Sequence, residues 1–233
     1  MTNPAQASAL VLRNRLGPPA FALALVCALA MITTPWAQAQ TFTVLHSFTG
    51  GADGKLPWDL ALDRAGNLYG TTESGGAGYG VIYKLTHAGS GWLISPIYTF
   101  QGGSDGDDPI GVTIAPDGSL YGTTVYGGSS TCTPNGCGTV FHLAPPATAC
   151  KSALCPWAEN VLYRFDYYSG GAYPPNEVVL DAEGDAYGTT VAGDPSGDGV
   201  VYELSRPGSS WTETVLYQFT GDTGDYALGW VGL

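Results

Sequence analysis

The chain has 233 residues, of which 20 are Asp or Glu and only eight are Lys or Arg, for a formal net charge of −12. So acidic a chain repels phosphate backbones and anionic lipid, which argues against nucleic-acid binding or adhesion to a membrane surface. The charged fraction is still low, at 12%, and 34 Gly beside abundant Tyr, Thr and Val describe a turn-rich β protein rather than a disordered one.

Residues 1–39 read as a cleaved export signal. Arg13 and Arg15 supply the positive region, residues 21–32 the apolar core, and Ala37-Gln38-Ala39 a small-x-small cleavage site. That apolar core is far shorter than the roughly 20 residues needed to span a bilayer. Val26 is too large for the residue expected before a lipidated Cys27. The expected product is secreted or held at the cell surface, has no membrane span after cleavage, and consists of one domain over 40–233.

Within that domain the same words return in the same order. A short aromatic strand ending in Phe comes first, as VLHSF (44–48), PIYTF (96–100), VLYRF (161–165) and VLYQF (215–219). A Gly/Asp loop follows, then an apolar run into a tight turn, then Tyr-Gly-Thr-Thr, a glycine loop and a third strand (GVIYKL 80–85, GTVFHL 138–143, GVVYEL 199–204). Tyr69, Tyr121 and Tyr187 mark the repeat, 52 and 66 residues apart. Each unit holds four strand-like runs, in the first at 58–63, 67–73, 80–86 and 92–100. The units span about 49–100, 101–165 and 166–219, with a truncated fourth over 220–233. Four antiparallel strands at a period near 50 describe the blade of a β-propeller.

In the third strand, Val81, Tyr83 and Leu85 share one face, while Lys84, His142 and Glu203 occupy one register position on the other. A position that accepts three such unlike groups reads as solvated. Trp92, Trp157 and Trp211 each precede the terminal Phe by eight residues, which places Trp211, Val215, Tyr217 and Phe219 on one face and assigns these rings to packing. The glycine after each repeat tyrosine (Gly70, Gly122, Gly188) marks a place where another backbone passes close.

Four cysteines lie in the mature chain, all in the longer second repeat. Export makes disulfides the expected state, and Cys132–Cys137 with Cys150–Cys155 is the favoured pairing, because the six-residue strand GTVFHL holds the two pairs close to 20 Å apart. A zinc site is the rival reading, with the wrong spacing and the wrong compartment.

The recurring DxxGNLYGTT, Gly-Gly, G-T-V-F-x-L, terminal-Phe and Asp-Gly-x-x-Pro words resemble the GloVer-type tandem repeat of exported bacterial proteins, often described as choice-of-anchor repeat proteins. The resemblance covers 41–233 and implies an exported location and a propeller shape, with no established activity. Asp53 to Pro57 and Asp105 to Pro109 match the loop word, and the third copy departs as Gly170-Gly171-Ala172-Tyr173-Pro174. Propellers close with about four to eight blades. The expectation is therefore an all-β partial propeller of about three four-stranded antiparallel blades plus incomplete terminal strands, either part of a larger product or self-associating through open sheet edges.

With 58–63 innermost, one face gathers Asp53, Glu73, Asp105, Asp107, Asp108, Asp194 and Asp198 beside Tyr79 and Tyr126. Three functions compete for it. The first is a structural or interaction scaffold without catalysis, and the second a face that binds carbohydrate or peptide through aromatic and carboxylate side chains. The third is a metal-dependent hydrolase or lyase like the gluconolactonase propellers, with Asp59, Asn176 and Glu177 as oxygen ligands. The scaffold is favoured, its partner an unknown protein or glycan, and no cofactor is predicted. Calcium is the one ion considered, because 193–199 and 220–225 have the composition of calcium loops without the closing Glu.

Overall fold

The computed structural model describes residues 41–146, 156–193 and 197–221. The export signal, Cys150 and Cys155, Asp194 and the truncated fourth repeat thus lie outside the described residues, apart from its first two, Thr220 and Gly221. Contacts divide the chain into a unit at 1–43 and a second at 44–233. Only the second is considered below.

Three four-stranded antiparallel meanders make up this unit. The first sheet contains β1 (Lys55–Leu62), β2 (Leu68–Ser74), β3 (Val81–Ala88) and β4 (Gly91–Thr99). The second contains β5 (Asp107–Ile114), β6 (Leu120–Tyr126), β7 (Thr139–Ala144) and β8 (Ala158–Arg164). The third contains β9 (Val179–Leu180), β10 (Ala186–Thr189), β11 (Val200–Ser205) and β12 (Thr212–Gln218). Among the described residues there is no α-helix. The arrangement is the expected all-β one, with three blades stacked in propeller fashion. β9 is the shortest strand, consistent with Pro174-Pro175 removing two backbone donors from the segment that leads into it.

Adjacent sheets pack face to face through two apolar clusters. Between the first and second sheets lie Tyr69, Ile82, Phe100, Val112, Phe141 and Leu143. Between the second and third lie Val140, Phe165, Val178, Val200, Tyr202 and Leu204. The terminal Phe of each unit sets this packing. Phe48, Phe100 and Phe165 meet Tyr83, Phe141 and Tyr202 of the following sheet edge-to-face, at ring separations of 4.9, 5.3 and 5.1 Å. Such T-shaped pairs place a positive ring edge on a negative face and add to the area they bury.

The repeat word Tyr-Gly-Thr-Thr now has a mechanical meaning. Its first threonine ties one sheet to the next: Thr71 Oγ1 donates to the Ile110 carbonyl at 2.8 Å, and Thr123 Oγ1 to that of Asn176 at 2.7 Å. Its second threonine ties a sheet to itself. The Thr72 hydroxyl donates to the Ser74 carbonyl and accepts from Val81 N–H at 3.1 Å, and Thr190 does the same with Ala192 and Val200. Thr72, Thr124 and Thr190 are fully buried. Thr72→Val keeps the shape and removes a satisfied buried hydroxyl, so urea unfolding should show a loss of about 1–3 kcal/mol.

The glycine of that word is required by close approach. A methyl group on Gly70 would lie 2.5 Å from the Tyr83 hydroxyl and 2.9 Å from the Asp59 carbonyl. The expected neighbouring backbone is there, but the larger occupant is the aromatic ring of the third strand. A second glycine acts differently. Gly54, Gly106 and Gly171 hold φ of 85°, 117° and 94°, and a methyl on any of them would collide with the side chain of Thr72, Thr124 or Thr190.

Two expectations about faces need correction. The fourth strand carries a β-bulge in every sheet, opposite Ile82/Tyr83, Val140/Phe141 and Val201/Tyr202. One extra residue reverses the alternation. Trp157 therefore packs back onto Tyr69 of the first sheet at 6.2 Å, while Phe165 points forward to the third. The tryptophan and phenylalanine are on opposite faces, not one. Nor is the position of Lys84, His142 and Glu203 simply solvated. Each is half-buried across from a repeat tyrosine: Lys84 sits 5.2 Å over the Tyr69 ring, His142 lies 4.6 Å from the Tyr121 ring, and Glu203 accepts from the Tyr187 hydroxyl at 3.3 Å. Burial holds His142 below the ordinary histidine pKa, with Asp117 acting in the opposite sense.

Candidate functional site

The acidic loop residues separate into two groups. Asp53 and Asp105 are turned back onto their own loops. Asp53 accepts from the hydroxyl and amide of Thr49 and lies 3.0 Å from His46 Nε2. Asp105 accepts from Gln101 N–H and from the Tyr98 hydroxyl, both at 2.6 Å. His46 thus partners Asp53 as Tyr98, its counterpart in the next unit, partners Asp105. The Thr49 hydroxyl, opposed by burial and helped by His46 and the Thr49 amide, lowers Asp53 to a pKa of about 2.

Glu73, Asp107 and Asp108 do come together, where β2 of the first sheet meets β5 of the second. Asp107 is paired in register with Tyr126, whose ring meets Tyr173 of the third unit at 5.8 Å, edge to face. Burial first, then the charges of Glu73 and Asp107, push Asp108 up to about 7. Burial likewise raises Asp107. One carboxylate oxygen of Asp108 is buried without a hydrogen-bond partner. Chemically, Asp108 can hold a proton near neutral pH. Asp198 lies beside Gly221, and Tyr79 packs its ring against Gly102.

Asp108 also stands at a special backbone position. Leu56, Asp108 and Tyr173, each directly before a proline, have φ of 57°, 59° and 58°. Left-handed geometry is costly for Leu and Tyr. The second and third copies receive a bond across the seam in return: Asp108 N–H donates to Tyr79 O at 3.2 Å and Tyr173 N–H to Cys137 O at 2.8 Å. The signal for this position, a non-glycine residue before proline in the loop of every repeat, is present in the sequence.

Of the three residues proposed for metal chemistry, two lie against Gly111. A methyl on Gly111 would sit 3.2 Å from Glu177 Oε2 and 3.7 Å from Asp59 Cβ, so both side chains border Gly111 of β5, while Asp59 Oδ1 accepts from Leu60 N–H. Asn176 contributes its backbone carbonyl to Thr123. Among the described residues no group of three or more His, Cys, Asp or Glu has the placement to hold a metal ion.

Cys132 and Cys137 are joined in the structure, with Cα atoms 5.0 Å apart, and both are buried in the cluster between the second and third sheets. They close the inserted loop between β6 and β7, whose Cys137 carbonyl serves the seam. Glu159 went unremarked in the sequence. It stands two residues after Trp157, as Glu213 does after Trp211, and faces the preceding sheet. Burial and Asp105, partly offset by Arg164, push it up to about 7, and its Oε1 is buried without a partner.

Repeated aromatic stacking and repeated threonine ties define a tandem-repeat β protein whose sheets stack as propeller blades. The chain belongs to the Gloeobacter/Verrucomicrobia repeat family, which it matches over residues 32–231. No curated protein matches it. Membership in a repeat family points to a structural or interaction role.

Proposed function

We propose that this chain is an exported scaffold that acts at or outside the cell surface by receiving other protein surfaces, without catalysis. The observation that carries this reading is the open face of the first sheet. Leu60 is 49% exposed, whereas Val112 and Val178, its counterparts in the next two units, are 6% and 0% exposed because a preceding sheet covers them. Leu56 and Leu62 on the same strand are exposed as well. Apolar residues gathered on one open sheet face mark an interaction surface, and the sister seams supply the shape of what fits: another sheet of this repeat, from a second copy or from another repeat protein. The repeated rings Phe100, Phe141, Phe165 and Tyr202 are engaged in stacking between sheets. The acidic surface and the Cys132–Cys137 bond are consistent with an extracellular setting.

Light scattering on the chain from Gln40 onward, over a concentration series, tests the surface. Association should appear, and Leu60→Glu should weaken it at least about tenfold, because a charge cannot enter a dry seam. A monomer at every concentration that also fails to retain envelope proteins would remove the reading. Fractionation of cells expressing the full chain tests export, and an uncleaved cytoplasmic product would contradict it. A second reading, a carbohydrate- or peptide-binding face, draws on the Tyr126–Tyr173 pair beside Asp107 and Asp108. A glycan array is its direct test, and Tyr126→Ala should abolish any signal that depends on stacking.

A further inference from the structure

We propose that the seam between the first and second sheets is a proton-sensitive joint, closed in acid and loosened as Asp108 and Glu159 ionise. Two separate carboxyl groups occupy this seam. Asp108, on β5, is faced by Glu73 from β2 of the first sheet and flanked by Asp107 on its own strand. Glu159, on β8, is faced by Asp105 from the loop after β4 and acts on Tyr98 of β4, with Arg164 on its own strand as the compensating cation. Arg164 is also committed to the Ser104 carbonyl, to which its Nε donates at 3.2 Å. Each of the two acids buries an oxygen that has no partner. Ionisation of Asp108 therefore puts a charge with no cation beside it into a joint lined by carboxylates, and ionisation of Glu159 adds one that Arg164 offsets only in part.

The direction follows from linkage. Both groups sit well above their unfolded values, at about 7, so the closed seam binds protons more tightly than the open one. The stabilisation is complete below the unfolded pKa of about 4 and is lost as pH rises through 7. The second seam provides an internal control. There Tyr173 occupies the Asp108 position and Val125 that of Glu73, and the counterpart of Glu159, Glu213, accepts from the Tyr163 hydroxyl at 2.6 Å. The Glu73–Asp108 pair of carboxylates thus has no counterpart at the second seam.

Amide hydrogen exchange reads both joints in one molecule, because Asp108 N–H and Tyr173 N–H each bond across their own seam. Between pH 5.5 and 8.5, after correction for intrinsic exchange, protection at Asp108 should fall about tenfold more than at Tyr173. That figure is discounted for the partial exposure of both acids. Asp108→Asn with Glu159→Gln should abolish the difference, with Asn well suited to the left-handed backbone. Glu159→Gln alone, which leaves the backbone at 108 untouched, should remove part of it. Equal loss of protection at both amides in the wild type would overturn the proposal, as would a difference that survives in the double variant.

Discussion

Phe165→Ala should lower the unfolding free energy by about 3–5 kcal/mol in urea denaturation, the usual cost of deleting a fully buried aromatic ring. Phe165 has no exposed surface and lies between Tyr163 and Tyr202 at 5.2 and 5.1 Å. The loss should not be confined to one sheet, because the ring belongs to the second sheet and its socket to the third. Near-ultraviolet circular dichroism should accordingly report loosening of both. Tyr202→Phe provides the contrast. Burial raises the pKa of the Tyr202 phenol, and its hydroxyl has no hydrogen-bond partner. Removing that oxygen should be neutral or slightly stabilising, and the second repeat already carries Phe141 at this position. A cost below about 1 kcal/mol for Phe165→Ala would mean that the sheets are not held together by their terminal rings.

The architecture was legible because each stacking contact is written once per repeat. The terminal Phe, the glycine, both threonines and the Asp-Gly loop all recur, and any residue that recurs in a stacked array has a repeated neighbour to explain it. The strand order followed from the turns. What could not be read was parity. Trp157 and Phe165 are an even number of residues apart, which in an unbroken strand means one face, and nothing in the letters between them announces a bulge. Acidic loops misled in a similar way. Asp53 and Asp105 look from their composition like a charged face, whereas each carboxylate is bent back onto backbone and aromatic groups a few residues away. Asp108 differs from them by being buried beside Glu73, a residue 35 positions earlier, and that neighbour exists only once two sheets are stacked. Glu159 was the most readable of the missed residues, since it is a carboxylate in a strand whose first-unit counterpart is Ile94.

Gly188→Ala and Gly122→Ala should each cost about 3 kcal/mol, and their rescue should differ. At Gly188 the three nearest atoms to an added methyl all belong to the Tyr202 ring, whose Cζ would lie 2.5 Å away. At Gly122 the nearest atom is the backbone carbonyl oxygen of Gly111, and Phe141 comes second with its Cζ at 2.5 Å. Overpacking typically costs about 1–3 kcal/mol, more where the obstacle is unable to move. A flexible side chain can be shortened and a carbonyl in a paired strand cannot. In a double-mutant cycle, Tyr202→Leu should therefore recover most of the Gly188→Ala loss, with a coupling of about 2 kcal/mol, while Phe141→Leu should recover much less of the Gly122→Ala loss. Equal recovery at both sites would show that the ring alone demands the glycine. The expected asymmetry would show that the innermost strand presses on the second strand as well.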